Sequence, residues 1–183
     1  MKTLETERLL LRAFRAADAG DCFAFLSDRE TCWLDGGYEP TPDTEEERQK
    51  LIAAFTGQED RFMVEYKAQG RVIGTVHLMK DGRRRVPAWE LGYVISPAFR
   101  RRGLAEEALR EVIRCCFEEW GLAMVTAGAA ACNAPSLALL RKLGFVREGF
   151  LHKAFRYPPA GIVDLECFYL DKEDWQKFNQ TME

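Results

Sequence analysis

Apolar positions along the chain alternate between a period of two and a period near 3.6, and the changes of period mark its elements. Glu7–Phe14 (ERLLLRAF) reads as a strand with Leu9, Leu11 and Ala13 on one face, and Asp18–Ser27 as a short amphipathic helix carrying Cys22, Phe23, Phe25 and Leu26. Cys32–Thr41 holds WLDGGYEPT, which predicts a loop broken by Gly and Pro. A helix is expected from near Thr41-Pro42, with Asp43 and Glu45 to Glu47 in its first turns and Leu51, Ile52 and Phe55 as its buried stripe. From Arg61 the period becomes two, and RFMVEYKA, RVIGTVHLM and VPAWELGYVIS read as three consecutive strands joined by short hairpin-type turns at Gly70 and Gly82.

The clearest element is a helix over about residues 102–120, whose apolar face is Leu104, Ala105, Ala108, Leu109, Val112, Ile113, Cys116, Phe117 and Trp120. Leu122–Ala130 follows as a buried strand and Asn133–Leu143 as a short helix. Asn133 suits its N-cap, Pro135 its first turn, Arg141 and Lys142 its last, and Gly144 the C′ position. FVREGFLHKAF and IVDLECFYL are two closing strands, with a few helical residues near Asp174 to Phe178. With no repeat and no linker, residues 1–183 read as one α+β domain, a mixed, mostly antiparallel central sheet flanked by helices.

Composition narrows the class of function. The chain has 183 residues, 47% hydrophobic and 30% charged, which excludes disordered and collagen-like scaffolds. A net charge of −3 gives no bulk attraction to nucleic acid or to a membrane surface. The Arg83 to Arg85 and Arg100 to Arg102 runs lack the interleaved aromatic platforms of a nucleic-acid binder. Six cysteines form no CxxC pair, and neither His77 nor His152 sits in a metal motif, so no metal is expected. The start of the chain lacks an apolar signal segment, and no apolar run approaches a membrane span. Free thiols in a reducing cytoplasm is the reading that follows.

Candidate chemistry concentrates in ELGYVISPAFRRRGLAEEALREVI (Glu90 to Ile113). Helix starts favour acids, because their unsatisfied N–H groups and dipole make that end positive. Here Arg100, Arg101 and Arg102 stand at that end instead. Backbone amides, a helix N-terminus and guanidinium groups together suit phosphates. Gly103 allows a ligand close to the backbone, and Ala105 leaves the helix start uncrowded.

These residues carry a resemblance. Arg100-Arg101-Arg102-Gly103-Leu104-Ala105 resembles the R/Q-x-x-G-x-G/A acyl-CoA motif of the GNAT acetyltransferases, set between the strand GYVISP and an amphipathic helix. NAPSLALLRKLGFVREG resembles a signature of the subgroup that includes ribosomal-protein-alanine acetyltransferases, and ETERLLLRAF resembles that subgroup's opening strand. The similarity runs from Glu7 to about Leu170 and implies the GNAT fold with acetyl-CoA as acyl donor. It implies that Tyr93, Val94 and Ile95 offer backbone groups to the pantetheine arm, and that the amides of Arg100 to Ala105 hold the pyrophosphate. It further implies that Asn133 bonds the cofactor near the thioester, that Ser136 protonates the departing thiolate or positions a water that does, and that copies pair as a homodimer through the late strands. The chain departs from the subgroup after the closing G-F strand, where Phe155 and Arg156 stand in place of an acid, which weakens any transfer of ribosomal-protein specificity.

Acyl transfer to an amine needs a neutral amine, donors for the oxyanion and a proton for the thiolate. An α-amino group titrates at about 8 and a lysine at about 10.4, so the former needs only a weak base. Glu90 is the candidate base, on the strand leading into the motif; a solvated strand carboxylate is its plainer reading. His152, Tyr157, Asp164 and Glu166 stand as further candidates, with Asp164 expected to anchor the closing turn. Trp33, Tyr38 and Trp89 are candidate acceptor contacts or simple packing residues. Cys132 has no sequence partner that would activate it. The expected activity is acetyl-CoA-dependent N-acetyl transfer to a primary amine of a small molecule or a protein N-terminus, and the alternative is a CoA-binding regulatory or catalytically weak relative.

Overall fold

The computed structural model describes residues 2–182, with side chains described through residue 180. In chain order the elements are β1 (Leu4–Glu5), β2 (Leu9–Arg12), α1 (Ala19–Leu26), α2 (Arg29–Asp35), α3 (Glu45–Phe55), β3 (Arg61–Tyr66), β4 (Arg71–Lys80), β5 (Ala88–Ile95), α4 (Leu104–Glu118), β6 (Met124–Ala130), α5 (Ala134–Lys142), β7 (Val146–Tyr157), β8 (Gly161–Asp171) and α6 (Lys172–Met182). The strands hydrogen-bond in the order β1-β2-β3-β4-β5-β6-β8-β7. β5 and β6 run parallel, joined by the α4 crossover, while β1/β2, β2/β3, β3/β4, β6/β8 and β7/β8 are antiparallel. The expected mixed, mostly antiparallel α+β sheet with flanking helices is what forms.

The chain divides into two compact units, Met1–His77 with Tyr93–Glu111, and Leu78–Gly92 with Val112–Glu183. In the first, Ala19, Cys22, Phe23 and Phe25 of α1 and Leu51 of α3 pack with Met63, Val72 and Val94 of the strands. Leu9 and Leu11 are fully buried as expected, but Ala13 is exposed. The strand stops at Arg12, whose side chain turns inward and is held by Asp18 (2.7 and 2.8 Å) and Glu65 (2.6 Å).

Two boundaries differ from expectation. Cys32 lies on α2 and not in a loop, because the Asp28 carboxylate accepts from Thr31 N (2.9 Å) and caps a helix that buries Thr31 and Cys32. Irregular chain begins only at Gly36. α3 starts at Glu45, after Thr44 as N-cap, and not near Thr41-Pro42. Between β4 and β5, Gly74 is required by a close approach: a Cβ there would stand 2.1 Å from the Val94 carbonyl oxygen and 2.9 Å from Ile95 Cδ1.

In the second unit, β6 buries Val125, Thr126, Ala127, Ala129 and Ala130. α5 begins at the Asn133 cap, carries Arg141 and Lys142 in its last turn and is followed by Gly144 at φ +88°. The link from β4 to β5 is not the short turn expected around Gly82 but residues 81–87, closed by Asp81 N donating to Ala88 O at 2.9 Å. α6 is longer than the few residues expected, starting at Lys172. No helix among the described residues is long and apolar enough to cross a membrane.

Candidate active site

The approach to α4 lies in the first unit. Pro97–Phe99 forms a 3-10 turn, after which Arg101 and Gly103 both take left-handed backbone, φ +57° and +76°. For a non-glycine residue that conformation costs about 1–2 kcal/mol, and successive amides in such turns make anion-binding concavities. The first N–H groups of α4 lack intrahelical acceptors and open at the same place. The loop therefore combines backbone donors, a dipole end and adjacent cationic side chains, which fits a pyrophosphate.

The three arginines do not act alike. Arg100 turns inward, donating Nε to Ile95 O (3.1 Å) and Nη2 to Thr31 Oγ1 (2.5 Å), with Glu30 at 3.8 Å. Arg102 lies over the Tyr66 and Phe99 rings, 5.2 and 5.3 Å from their centroids, and donates to Tyr66 Oη at 3.2 Å. Arg101 is exposed. Acids do enter the first turn, as Glu106 and Glu107. Glu107 accepts from Thr6 Oγ1 (2.5 Å), Arg8 N (2.8 Å) and Arg8 Nε (2.6 Å), while Arg8 Nη1 bonds the Arg102 carbonyl at 3.0 Å. This brace from the bend just before β2 was not foreseen; Arg8 precedes the strand and gives no sequence signal.

Tyr93, Val94 and Ile95 end β5. The β5–β6 ladder covers only Ala88–Glu90 against Met124–Thr126. Val94 and Ile95 are 7% exposed each, so what this segment offers a ligand is backbone. Leu104 is buried at the head of α4 and Ala105 half-buried behind it.

Asn133, Ser136 and Glu90 lie in the second unit. Asn133 Oδ1 accepts from Ser136 N at 3.2 Å, the N-cap bond of α5. This fixes the amide orientation and leaves the Nδ2 donors for another acceptor, so capping and ligand binding are compatible. Glu90 Oε2 accepts from Arg83 Nη2 at 2.9 Å with its side chain one-third exposed. Arg83 is in turn gripped by Asp81, which accepts from its N, Nε and Nη2 (2.9, 2.9 and 3.1 Å) and from Thr126 Oγ1 at 2.9 Å. The bonds from Arg83 hold the Asp81 carboxyl down at about 2 against the burial that would raise it. The Asp81–Arg83 brace was missed because KDGRR reads as a plain turn.

The other candidates find ordinary partners. Asp164 does not sit in the closing turn but receives Lys153 N at 2.8 Å, where Lys153 takes φ +50°, and faces His152 Nδ1 at 3.1 Å. Glu166 pairs with Arg147. Trp33 lies on α2 beneath Arg29, and Trp89 stacks on Trp120 at 6.0 Å. Burial pushes the Cys22 and Cys32 thiols up to about 12 and about 11, away from thiolate chemistry, and none of the six cysteines is joined in a disulfide among the described residues.

Comparison with known proteins adds the family. A profile described as "Acetyltransferase (GNAT) domain" matches residues 8–146. "Uncharacterized N-acetyltransferase p20" of Bacillus licheniformis is 29% identical, over 96% of this chain and 99% of its own. "Uncharacterized N-acetyltransferase YoaA" of Bacillus subtilis is 32% identical, over 82% of this chain and 86% of its own. A GNAT-family acetyltransferase structure from Bacillus anthracis superposes with a TM-score of 0.82 at 23% identity, covering 94% of this chain and 99% of that one. A spermidine N-acetyltransferase from Vibrio cholerae, in complex with CoA and spermine, gives 0.76 at 22% identity, covering 93% and 99%. The family's acyl donor is acetyl-CoA, and with the fold, the profile and full-length relatives in agreement, this chain belongs to the GNAT family of N-acetyltransferases.

Proposed function

We propose that the protein transfers an acetyl group from acetyl-CoA to a primary amine by direct attack on the thioester, the amine belonging to a small molecule or to a protein N-terminus. The observation that carries this reading is the loop before α4, where two left-handed residues, Arg101 and Gly103, open backbone donors at a helix start. In this reading the amides of Arg101 to Ala105 receive the pyrophosphate, with Arg101 and Arg102 supplying charge and Arg100 holding the loop to α2. Tyr93, Val94 and Ile95 bond the pantetheine arm through their backbone. Asn133 donates from Nδ2 toward the acyl end, and Ser136 delivers a proton to the leaving sulfur. Glu90 takes the proton of the attacking amine, directly or through a water, with Arg83 fixing its carboxylate.

A homodimer through the late strands is part of the same proposal. β7 is an edge strand that leaves Val146, Phe150 and Leu151 exposed, and Ile162 of β8, opposite Arg156 toward the hairpin turn, is 63% exposed. Unpaired strand edges with apolar side chains are sites of association. Thiol release from acetyl-CoA, followed with a panel of amines and mass detection of the acetylated product, tests the transfer. Amine-dependent release that falls sharply in Glu90→Gln and Ser136→Ala supports it. CoA binding without turnover on any amine would favour the CoA-binding alternative, for which the missing acid at Phe155 and Arg156 speaks.

A further inference from the structure

Arg61 opens β3 and is half-buried on the α1–α3 core, its guanidinium carbon 4.8 Å above the Phe55 ring. Its hydrogen bonds are long and go to uncharged groups. Nε reaches Gln58 Oε1 at 3.3 Å, and Nη1 is divided between Thr75 Oγ1 and His77 Nδ1 at 3.5 Å each. Desolvation and the Arg61 charge push His77 down to about 4, so its ring is neutral near pH 7. Nη2 has no acceptor, and no carboxylate comes within ion-pair distance of Arg61 among the described residues. The guanidinium is thus partly withdrawn from water and unpaired, yet not fully buried, so an anion can still reach it. Burial accordingly pulls Arg61 below its usual value, opposed by the more distant fields of Asp35, Asp60, Tyr38 and Cys22.

The position is informative. Thr75 follows Gly74, against which Val94 O and Ile95 pack, so the Arg61 guanidinium lies on the strand next to the segment assigned to pantetheine. The class of anion follows from charge. Asp35, which accepts from Tyr38 Oη at 2.5 Å, and Asp60 disfavour a phosphate dianion, whereas one carboxylate matches one planar guanidinium in bidentate geometry. From the half-buried Arg61 with unused donors beside Thr75 and His77, we infer that Arg61 is a carboxylate-binding subsite for the acceptor, which is an amino-acid-like amine bearing a free carboxylate. The inference rests on the acetyl-transfer reading for the word acceptor, but the carboxylate site stands on its own geometry.

The test pairs each of the common amino acids with its α-carboxamide, measuring initial rates with acetyl-CoA and binding by calorimetry, in the wild type, Arg61→Met and Arg61→Lys. CoA affinity and melting midpoint serve as folding controls. At least one amino acid should outperform its carboxamide by on the order of 30-fold, since unpairing a buried charge has effects of that size. Arg61→Met should abolish the difference, and Arg61→Lys should keep part of it, as charge without the planar fork. Equal use of acids and amides, discrimination that survives Arg61→Met, or no amino acid bound at all would overturn the subsite. Arg61-dependent binding of an acid without acetyl transfer would uphold the subsite and refute the transfer reading instead.

Discussion

Arg12 and Asp18 are both buried, at 5% and 6% exposure, and their ion pair ties the end of β2 to the turn before α1. Removing one partner leaves an uncompensated charge, so Asp18→Asn is expected to lower stability by about 3 kcal/mol, read as a shift in denaturant midpoint. His77 supplies a pH signature. An unfolded His77 takes a proton below about 6.5, whereas in the folded chain it stays neutral down to about 4. The unfolded state therefore binds more protons in that window, and stability falls as pH is lowered from about 6.5 toward 4. Unfolding curves of His77→Gln should lose that part of the slope; an unchanged slope would assign it to other groups. Neither position was legible in the sequence: Arg12 reads as a polar strand residue, and only its inward turn toward Asp18 and Glu65 shows that it is structural.

At the scale of elements, periodicity carried α4 well, since a fifteen-residue helix with one apolar face repeats its signal over several turns. It failed for α2, whose seven residues complete scarcely two turns and whose start depends on the Asp28 cap rather than on any period. It also failed at residues 81–87, where the side chain of Asp81 organises the link and the residue types look like a hairpin turn. Asn133 was legible as a cap, because a short polar residue just before an apolar period and ahead of Pro135 asks for a helix start. Asn133→Ala should cost about 1 kcal/mol through the lost cap, and should raise the KM for acetyl-CoA beyond what the loss of stability explains. A KM equal to that of the wild type would leave Asn133 as a cap alone. For β5, Gly74→Val should displace Val94 and Ile95, because its Cβ has no room beside the Val94 carbonyl; loss of CoA affinity is the expected readout, and unchanged affinity would detach this segment from the cofactor.

For the whole molecule, motif order and fold class were readable because the acyl-CoA motif, its flanking strand and helix, and the late NAPSLALL helix fall in one sequence over the length of the chain. The acceptor was not readable, since it depends on how separate segments such as Asp35–Tyr38, Arg61 and His77 come together. Oligomeric state belongs to this scale as well. Sedimentation velocity should show a dimer that Phe150→Lys with Leu151→Lys converts to monomer, and a monomeric wild type would contradict the β7 interface. Cofactor binding as proposed here requires that the turn at Arg101 to Ala105 hold the pyrophosphate. Calorimetric titration of CoA and of pantetheine, in the wild type and in Gly103→Val, addresses it directly. Valine cannot easily hold φ +76°, and its Cβ would stand 3.4 Å from Arg8 Nη2. CoA should bind the wild type far more tightly than pantetheine does, and Gly103→Val should weaken CoA by roughly tenfold or more, about 1.4 kcal/mol, while leaving pantetheine little changed. Equal affinities for the two ligands, or CoA affinity unchanged in Gly103→Val, would contradict the account.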